Sequence, residues 1–133
     1  CSSITSIPER LFANCPNVTD FRYTFAGCSS ITSIPERLFA NCTKVTRFGN
    51  TFSGCSNLTS IPKKLFENCS NATEFWNTFS ECNNLTGQSI QLWKEGREGV
   101  DENNGGAGCY YMCNMLDDYD DIPEYWKKDA RDT

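Results

Sequence analysis

Cysteine is the residue whose abundance and spacing in this chain could do chemistry. Nine cysteines stand in 133 residues, and there is no histidine. Seven fall in two series at a 27-residue interval: Cys1, Cys28, Cys55 and Cys82, then Cys15, Cys42 and Cys69. Such a count in a small secreted chain reads as a disulfide scaffold. A fixed interval reads differently, because one position recurs in every unit of a repeat and cysteine packs as a small buried hydrophobe. Two stacked columns of buried thiols are expected. Neighbouring strands lie ~4.8 Å apart, inside the Cα range of a disulfide, so a bridge between units stays open as an alternative.

The remaining chemical candidates are weaker. No Cys-x-x-Cys pair exists, so no zinc site is assigned. Cys109 and Cys113 lie four apart with no histidine nearby and are expected in the core. Asp101-x-Asn103 ahead of Gly106 is a fragment of a calcium loop, but the distal Glu is missing and Gly105 takes the fifth position. Asp117, Asp118, Asp120 and Asp121 form an acidic turn. Both are expected to be solvated, with no metal and no other cofactor. Without histidine no nucleophile–base pair can be assembled, so no catalytic residue is assigned and the chain is not expected to be an enzyme.

The cysteines are positioned by a repeat. Cys1 to Cys15 recurs residue for residue as Cys28 to Cys42, and a looser copy runs from Cys55 to Cys69. Each half of the unit reads Phe-x-x-Cys-x-x-apolar-Thr-x-(Ile or Phe). Phe12, Phe25, Phe39, Phe52, Phe66 and Phe79 each stand three residues before a cysteine. Ile4, Val18, Ile31, Val45, Leu58, Ala72 and Leu85 each stand three after one. A fixed period of this kind denotes units that bury their apolar faces only against their neighbours. The fold class expected is a repeat solenoid, leucine-rich-repeat-like, with short stacked parallel strands, short α or 3-10 turns, about three coils and a degenerate C-terminal cap. Ile4–Ile7 and Val18–Phe21 suit strands. Pro8, Pro35 and Pro62 end the first strand and open a helical turn over Pro8–Ala13 and its copies. Gly27 and Gly54, with Asn14, Asn41 and Asn68, are expected at the left-handed or tight-turn positions.

Residues 1–86 are therefore read as the array and 87–133 as a capping repeat with an acidic tail. Cys1-Ser2-Ser3-Ile4 matches Cys28-Ser29-Ser30-Ile31, so Cys1 reads as a repeat position rather than a lipid anchor, and the array is expected to start upstream. In the cap, Ser89–Gly96 suggests a short amphipathic helix and residues 97–108 a polar loop. Tyr110 and Leu116 flank Cys113 with the repeat spacing, Ile122-Pro123-Glu124 echoes Ile7-Pro8-Glu9, and Trp126 is expected to replace Leu11 or Phe12. Residues from Lys127 onward are expected to fray.

Up to Cys82, seven basic residues meet six acidic ones, which leaves about −6 of charge in the remainder. A neutral array with an acidic tail lacks the basic footprint that nucleic acid requires and the one that draws proteins to anionic membranes. No apolar run approaches the ~20 residues of a membrane span.

Phe-Ala-Gly-Cys-Ser-Ser-Ile-Thr-Ser-Ile (25–34) and Phe-Ala-Asn-Cys-Pro-Asn-Val-Thr-Asp-Phe (12–21) resemble the BspA-like leucine-rich repeats of bacterial surface proteins. They are also similar to the related repeats of Mycoplasma surface proteins. The resemblance covers residues 1 to about 86, and Ile-Pro stands where many members continue with Leu-Asp. It implies an extracellular or cell-surface adhesin or protein-binding module with no enzyme activity in the repeats.

The copies differ chiefly in the outward positions of the second half. Asp20, Arg47 and Glu74 share one column, Arg22, Gly49 and Trp76 another, and Tyr23, Asn50 and Asn77 a third. Side chains alternate across a strand, so Asp20 and Arg22 should oppose Phe21. Exposed Tyr, Trp and Arg are the types enriched at binding hot spots. The expected ligand-binding face is therefore Asp20, Arg22, Tyr23, Arg47, Asn50, Glu74, Trp76 and Asn77, contacting a protein or glycan. The competing expectation is a structural spacer of a surface stalk or phage-type fibre, with Asp20–Arg47–Glu74 a plain charge ladder. Asn17, Asn41, Asn57, Asn68, Asn71 and Asn84 lie in Asn-x-Ser/Thr sequons that the repeat itself generates.

Overall fold

The structure is a computed structural model describing residues 3–129; Cys1, Ser2 and residues 130–133 lie outside them. Its organising feature is how the backbone of each second half distributes its hydrogen bonds. Phe21, Tyr23, Phe25 and Gly27 donate their N–H groups to Arg47, Gly49, Thr51 and Ser53 of the next coil, at 2.9, 3.1, 2.8 and 2.7 Å. The intervening Thr24, Ala26 and Cys28 donate to the carbonyls three residues back, and Arg22 donates to the Asp20 carboxylate. Every N–H from Phe21 to Cys28 is thereby satisfied, as buried backbone requires. The same rungs join Phe48, Asn50, Phe52 and Gly54 to the third coil, and Phe75, Asn77, Phe79 and Glu81 to the cap.

This pattern explains why the expected strands are missing. A chain that closes an i to i−3 turn at every second N–H cannot extend, so among the described residues only isolated bridges form: parallel ones at Asp20–Arg47 and Arg47–Glu74, and an antiparallel one at Asp101–Asn104 in the cap. The turns need left-handed backbone. Gly27 and Gly54 supply it as expected, at φ 75° each. Asn14, Asn41 and Asn68 do not; the second left-handed series is Tyr23, Asn50 and Asn77, continued in the cap by Gly108. Asn41 and Asn68 instead donate their side-chain amides to Ala13 and Ala40 one coil back, as Asn57 and Asn84 do to Ser29 and Ser56. Four of the six sequons are thus structural ladders. The proline-led segments form successive turns at alternate N–H groups (Leu11 to Pro8, Ala13 to Arg10 and Cys15 to Phe12, repeated in the next two coils) and do not extend into helices.

Inside, like residues stack. Phe12, Phe39 and Phe66 make one spine with ring centroids 5.9 and 6.1 Å apart. Phe21, Phe48 and Phe75 make a second at 6.0 and 5.9 Å, and Phe25, Phe52, Phe79 and Tyr110 a third at 5.4, 5.6 and 5.7 Å. Cys42, Cys55, Cys69 and Cys82 are buried among them as free thiols, while Cys28 is disulfide-bonded. Thiols of the first series reach the carbonyl one coil back: Cys55 to Phe25, Cys82 to Phe52 and Cys113 to Phe79, at 3.2, 3.1 and 3.0 Å. Buried Thr51 and Thr78 do likewise, each hydroxyl lying within 3.0 Å of a carbonyl in its own coil and one in the coil before.

The cap preserves the register after a four-residue insertion, Tyr110 standing over Phe79 and Cys113 over Cys82. By the same count Gly106 takes the place of Phe75. A Cβ on Gly106 would lie 2.2–2.4 Å from three atoms of the Trp126 ring. Trp126 therefore occupies the space of a side chain at this position, not that of Leu11 or Phe12, while the Arg97 guanidinium lies over the Phe75 ring, 5.4 Å from its centroid. It is delivered by α1 (Glu124–Lys127) and anchored by its indole N–H to the Asp101 carbonyl at 2.8 Å. The expected helix over Ser89–Gly96 shrinks to a 3-10 turn, Leu92–Lys94, with Leu92 and Trp93 buried.

Residues 97–108 form a loop of turns that is exposed at Glu98–Gly99 and Asp101–Asn104 but tied into the core at Arg97, Val100 and Gly106. The Arg97 side chain is 8% exposed and donates to the carbonyls of Phe66, Cys69 and Ala72 at 3.1, 2.6 and 3.1 Å. One coil earlier the Cys69 thiol faces the matching carbonyls of Phe39 and Cys42. The guanidinium thus closes the second cysteine column where no further cysteine follows. Asp101 is consumed by its own turn, accepting from Asn103 N–H and the Asn104 amide. Asp118 is buried and accepts both the N–H and hydroxyl of Ser89, so it is not a solvated acid. Residues 127–129 are ordered as well, with Lys127 over the Tyr119 ring and Lys128 N–H bonded to Glu124.

Candidate functional site

The outward positions of the second halves form one surface, because the rungs that align the coils run directly beneath them. Phe21, Phe48 and Phe75 point into the core, while Asp20, Arg22, Tyr23, Arg47 and Trp76 are exposed and Asn50, Glu74 and Asn77 are half-buried. All eight residues singled out in the sequence come together on this face. Tyr23 is 64% exposed and Trp76 48%.

The charges are arranged differently from a simple column. Asp20 pairs within its own coil, its carboxylate taking the Arg22 guanidinium at 2.9–3.1 Å and the Arg22 N–H at 2.9 Å. The hydrogen bonds from Arg22 hold the Asp20 carboxyl below the usual range, and Asp20 in turn raises Arg22. Arg47 reaches forward to Glu74 at 3.4 Å. Between Arg22 and Trp76 the column holds Gly49, a notch in the face. A Cβ there would meet Glu74 Oε1 at 3.1 Å and the Arg22 side chain at 3.5 Å, so both neighbours lean over the gap.

The left-handed series gives the face its most informative residue. Asn tolerates φ near +60° through local hydrogen bonding, whereas a bulky residue is a genuine outlier there. Coils two and three place Asn50 and Asn77 at φ 58° and 56°; coil one holds Tyr23 at φ 64°. Motif reading identified Tyr23 as an exposed aromatic but not its backbone strain. The only sequence signal was its alignment with two asparagines.

On the proline-turn side the coils are separated by small grooves of about 160 and 200 Å³, bounded by Glu36, Arg37, Lys64 and Glu67 in one and Glu9, Arg10 and Arg37 in the other. These are below the ~300 Å³ at which small-molecule sites begin. The described residues hold no group of three or more His, Cys, Asp or Glu placed to take a metal ion, and no helix long and apolar enough to cross a membrane.

No curated protein matches the chain. Among solved structures it is similar to a leucine-rich repeat protein from Bacteroides ovatus, with 20% identity, a TM-score of 0.19, and coverage of 67% of this chain and 36% of that one. It is also similar to the T. pallidum leucine-rich repeat protein, with 17% identity, a TM-score of 0.24, and coverage of 84% and 65% respectively. The chain thus spans less than two thirds of either structure. Residues 1–91 match six copies of the BspA type leucine rich repeat region, a family associated with bacterial surface proteins. The chain belongs to the BspA-type leucine-rich repeat family.

Proposed function

We propose that the chain is a non-enzymatic binding module of a bacterial surface protein, a short solenoid of residues 1–86 closed by a cap from residue 87. Its second-half face would contact a protein or glycan outside the cell. The observation that carries this reading is Tyr23. An aromatic side chain largely in solvent, on left-handed backbone where the other coils use Asn, costs about 1–2 kcal/mol and gains nothing from core packing. Strain of that kind is retained where it serves a function. Trp76 offers a second aromatic surface across the Gly49 notch, and a flat face with two aromatics and paired charges suits a macromolecular ligand better than a pocket does.

The spacer reading is favoured by one fact, that Asp20–Arg22 and Arg47–Glu74 satisfy their own charges. One experiment separates the two. Wild type, Tyr23→Asn and Trp76→Ala are screened against host matrix proteins and glycans, with thermal stability measured in parallel. A binding module loses most binding in both variants, while Tyr23→Asn keeps or raises its melting temperature. Wild type that binds no target, or variants that bind unchanged, would overturn the proposal in favour of a spacer.

A further inference from the structure

We infer that Cys55 and Cys82 form a redox modification site, a thiol pair that hydrogen peroxide converts into a disulfide joining the second and third coils. The two residues hold the same repeat position, one coil apart. The backbone around them is pinned by Phe52 N–H to Thr78 O at 2.9 Å and Gly54 N–H to Ser80 O at 2.8 Å. Coils held at hydrogen-bond distance lie ~4.8 Å apart, inside the ~4.4–6.8 Å Cα separation that a disulfide spans. Cys28, the preceding member of the series, is itself disulfide-bonded.

The pair divides into nucleophile and resolving thiol. In the neutral state the two hydrogens point to the carbonyls of Phe25 and Phe52. Once Cys55 ionises, the Cys82 thiol turns from the Phe52 carbonyl to the Cys55 sulfur; that hydrogen bond holds Cys55 below the ordinary thiol range and, together with burial, pushes Cys82 well above it. Cys55 is thus the group that ionises, and the thiolate is the reactive form. Its sulfur attacks one peroxide oxygen, an S–O bond forms, the O–O bond breaks and hydroxide leaves. The Cys82 sulfur then attacks the sulfenic sulfur, the S–S bond forms, and water departs with the Cys82 proton. Two thiols lose two electrons, and one peroxide becomes two waters once the hydroxide takes up the proton Cys55 released. Both sulfurs are buried, which disfavours bulky disulfide reagents.

The test uses the whole chain at neutral pH with one equivalent of peroxide. The intact mass should fall by about 2 Da, and peptide mapping after N-ethylmaleimide treatment should place the new bond between Cys55 and Cys82. The melting temperature should rise by about 5–10 °C and fall back with dithiothreitol, as expected for a cross-link closing a loop of this length. Cys82→Ser should leave a sulfenic acid on Cys55 that dimedone traps, and Cys55→Ser should abolish the reaction of the pair. Should either variant misfold, the peptide map of the wild type decides alone. A bond between other cysteines, oxidation of Cys82 before Cys55, or an unchanged thiol count would overturn the inference.

Discussion

Replacing Gly106 with alanine tests the account of the cap at its narrowest point. Gly106 is buried at the register position of Phe75, without the positive φ that would penalise alanine through the backbone. On chain entropy alone Gly→Ala would stabilise by about 0.4–1 kcal/mol. The new methyl, however, would lie 2.2–2.4 Å from the Trp126 ring. Restoring van der Waals contact requires the ring to withdraw by about 1 Å. Trp126 has no slack to do so: its N–H is bonded to Pro123, its carbonyl to Tyr110 at 2.8 Å, and its indole to Asp101 at 2.8 Å. The cost should therefore exceed ordinary overpacking, about 1–3 kcal/mol, and approach that of losing a buried Trp, about 3–5 kcal/mol. Differential scanning calorimetry on Gly106→Ala, Trp126→Ala and the double variant gives the decisive number. With the indole gone the methyl has room, so the double variant should be no worse than Trp126→Ala, and a coupling of at least about 2 kcal/mol should appear. Additive effects, or a Gly106→Ala cost below about 1 kcal/mol, would refute the claim that Trp126 occupies the space of a side chain at position 106.

Two further outcomes follow from the buried groups. Arg97→Met should destabilise by about 2–3 kcal/mol, because it strips a charged donor from the carbonyls of Phe66, Cys69 and Ala72; Arg97→Lys should recover only part, since an ammonium cannot span them. Urea denaturation resolves this, and a Met variant as stable as wild type would contradict the capping role. Burial pushes the Cys69 and Cys113 thiols up to about 12, against 9.0 in an open chain. Folded values above the unfolded one mean that this stability is complete below pH 9 and lost between 9 and 12, at about 1.4 kcal/mol per pH unit for each thiol. Urea midpoints under reducing conditions should be level up to pH 8.5 and fall by pH 10.5; a level profile throughout would show the thiols to be accessible.

The period and its core could be read from the sequence because identical residues at one interval admit a single register, and slipping by one position would misplace each Phe and Cys together. The three aromatic spines, the buried thiols, the stacking of Tyr110 over Phe79 and the shared face of Asp20, Arg47 and Glu74 all follow from that. Local backbone did not, because β-branched residues beside a proline suggest extended strands, while the bonding between coils favours a turn at alternate N–H groups. Phe-x-x-Thr-Phe recurs at 21–25, 48–52 and 75–79, and its threonines hold those turns together, but nothing in their type distinguishes them from solvated ones. The cap departs furthest from expectation. Arg97 and Trp126 are far along the chain from the columns they finish, so no periodic signal links them to those sites. Sequence therefore determined the columns, whereas only tertiary packing decided how the last coil is closed and that Tyr23 is strained, since both depend on which groups the neighbouring coil leaves unfilled.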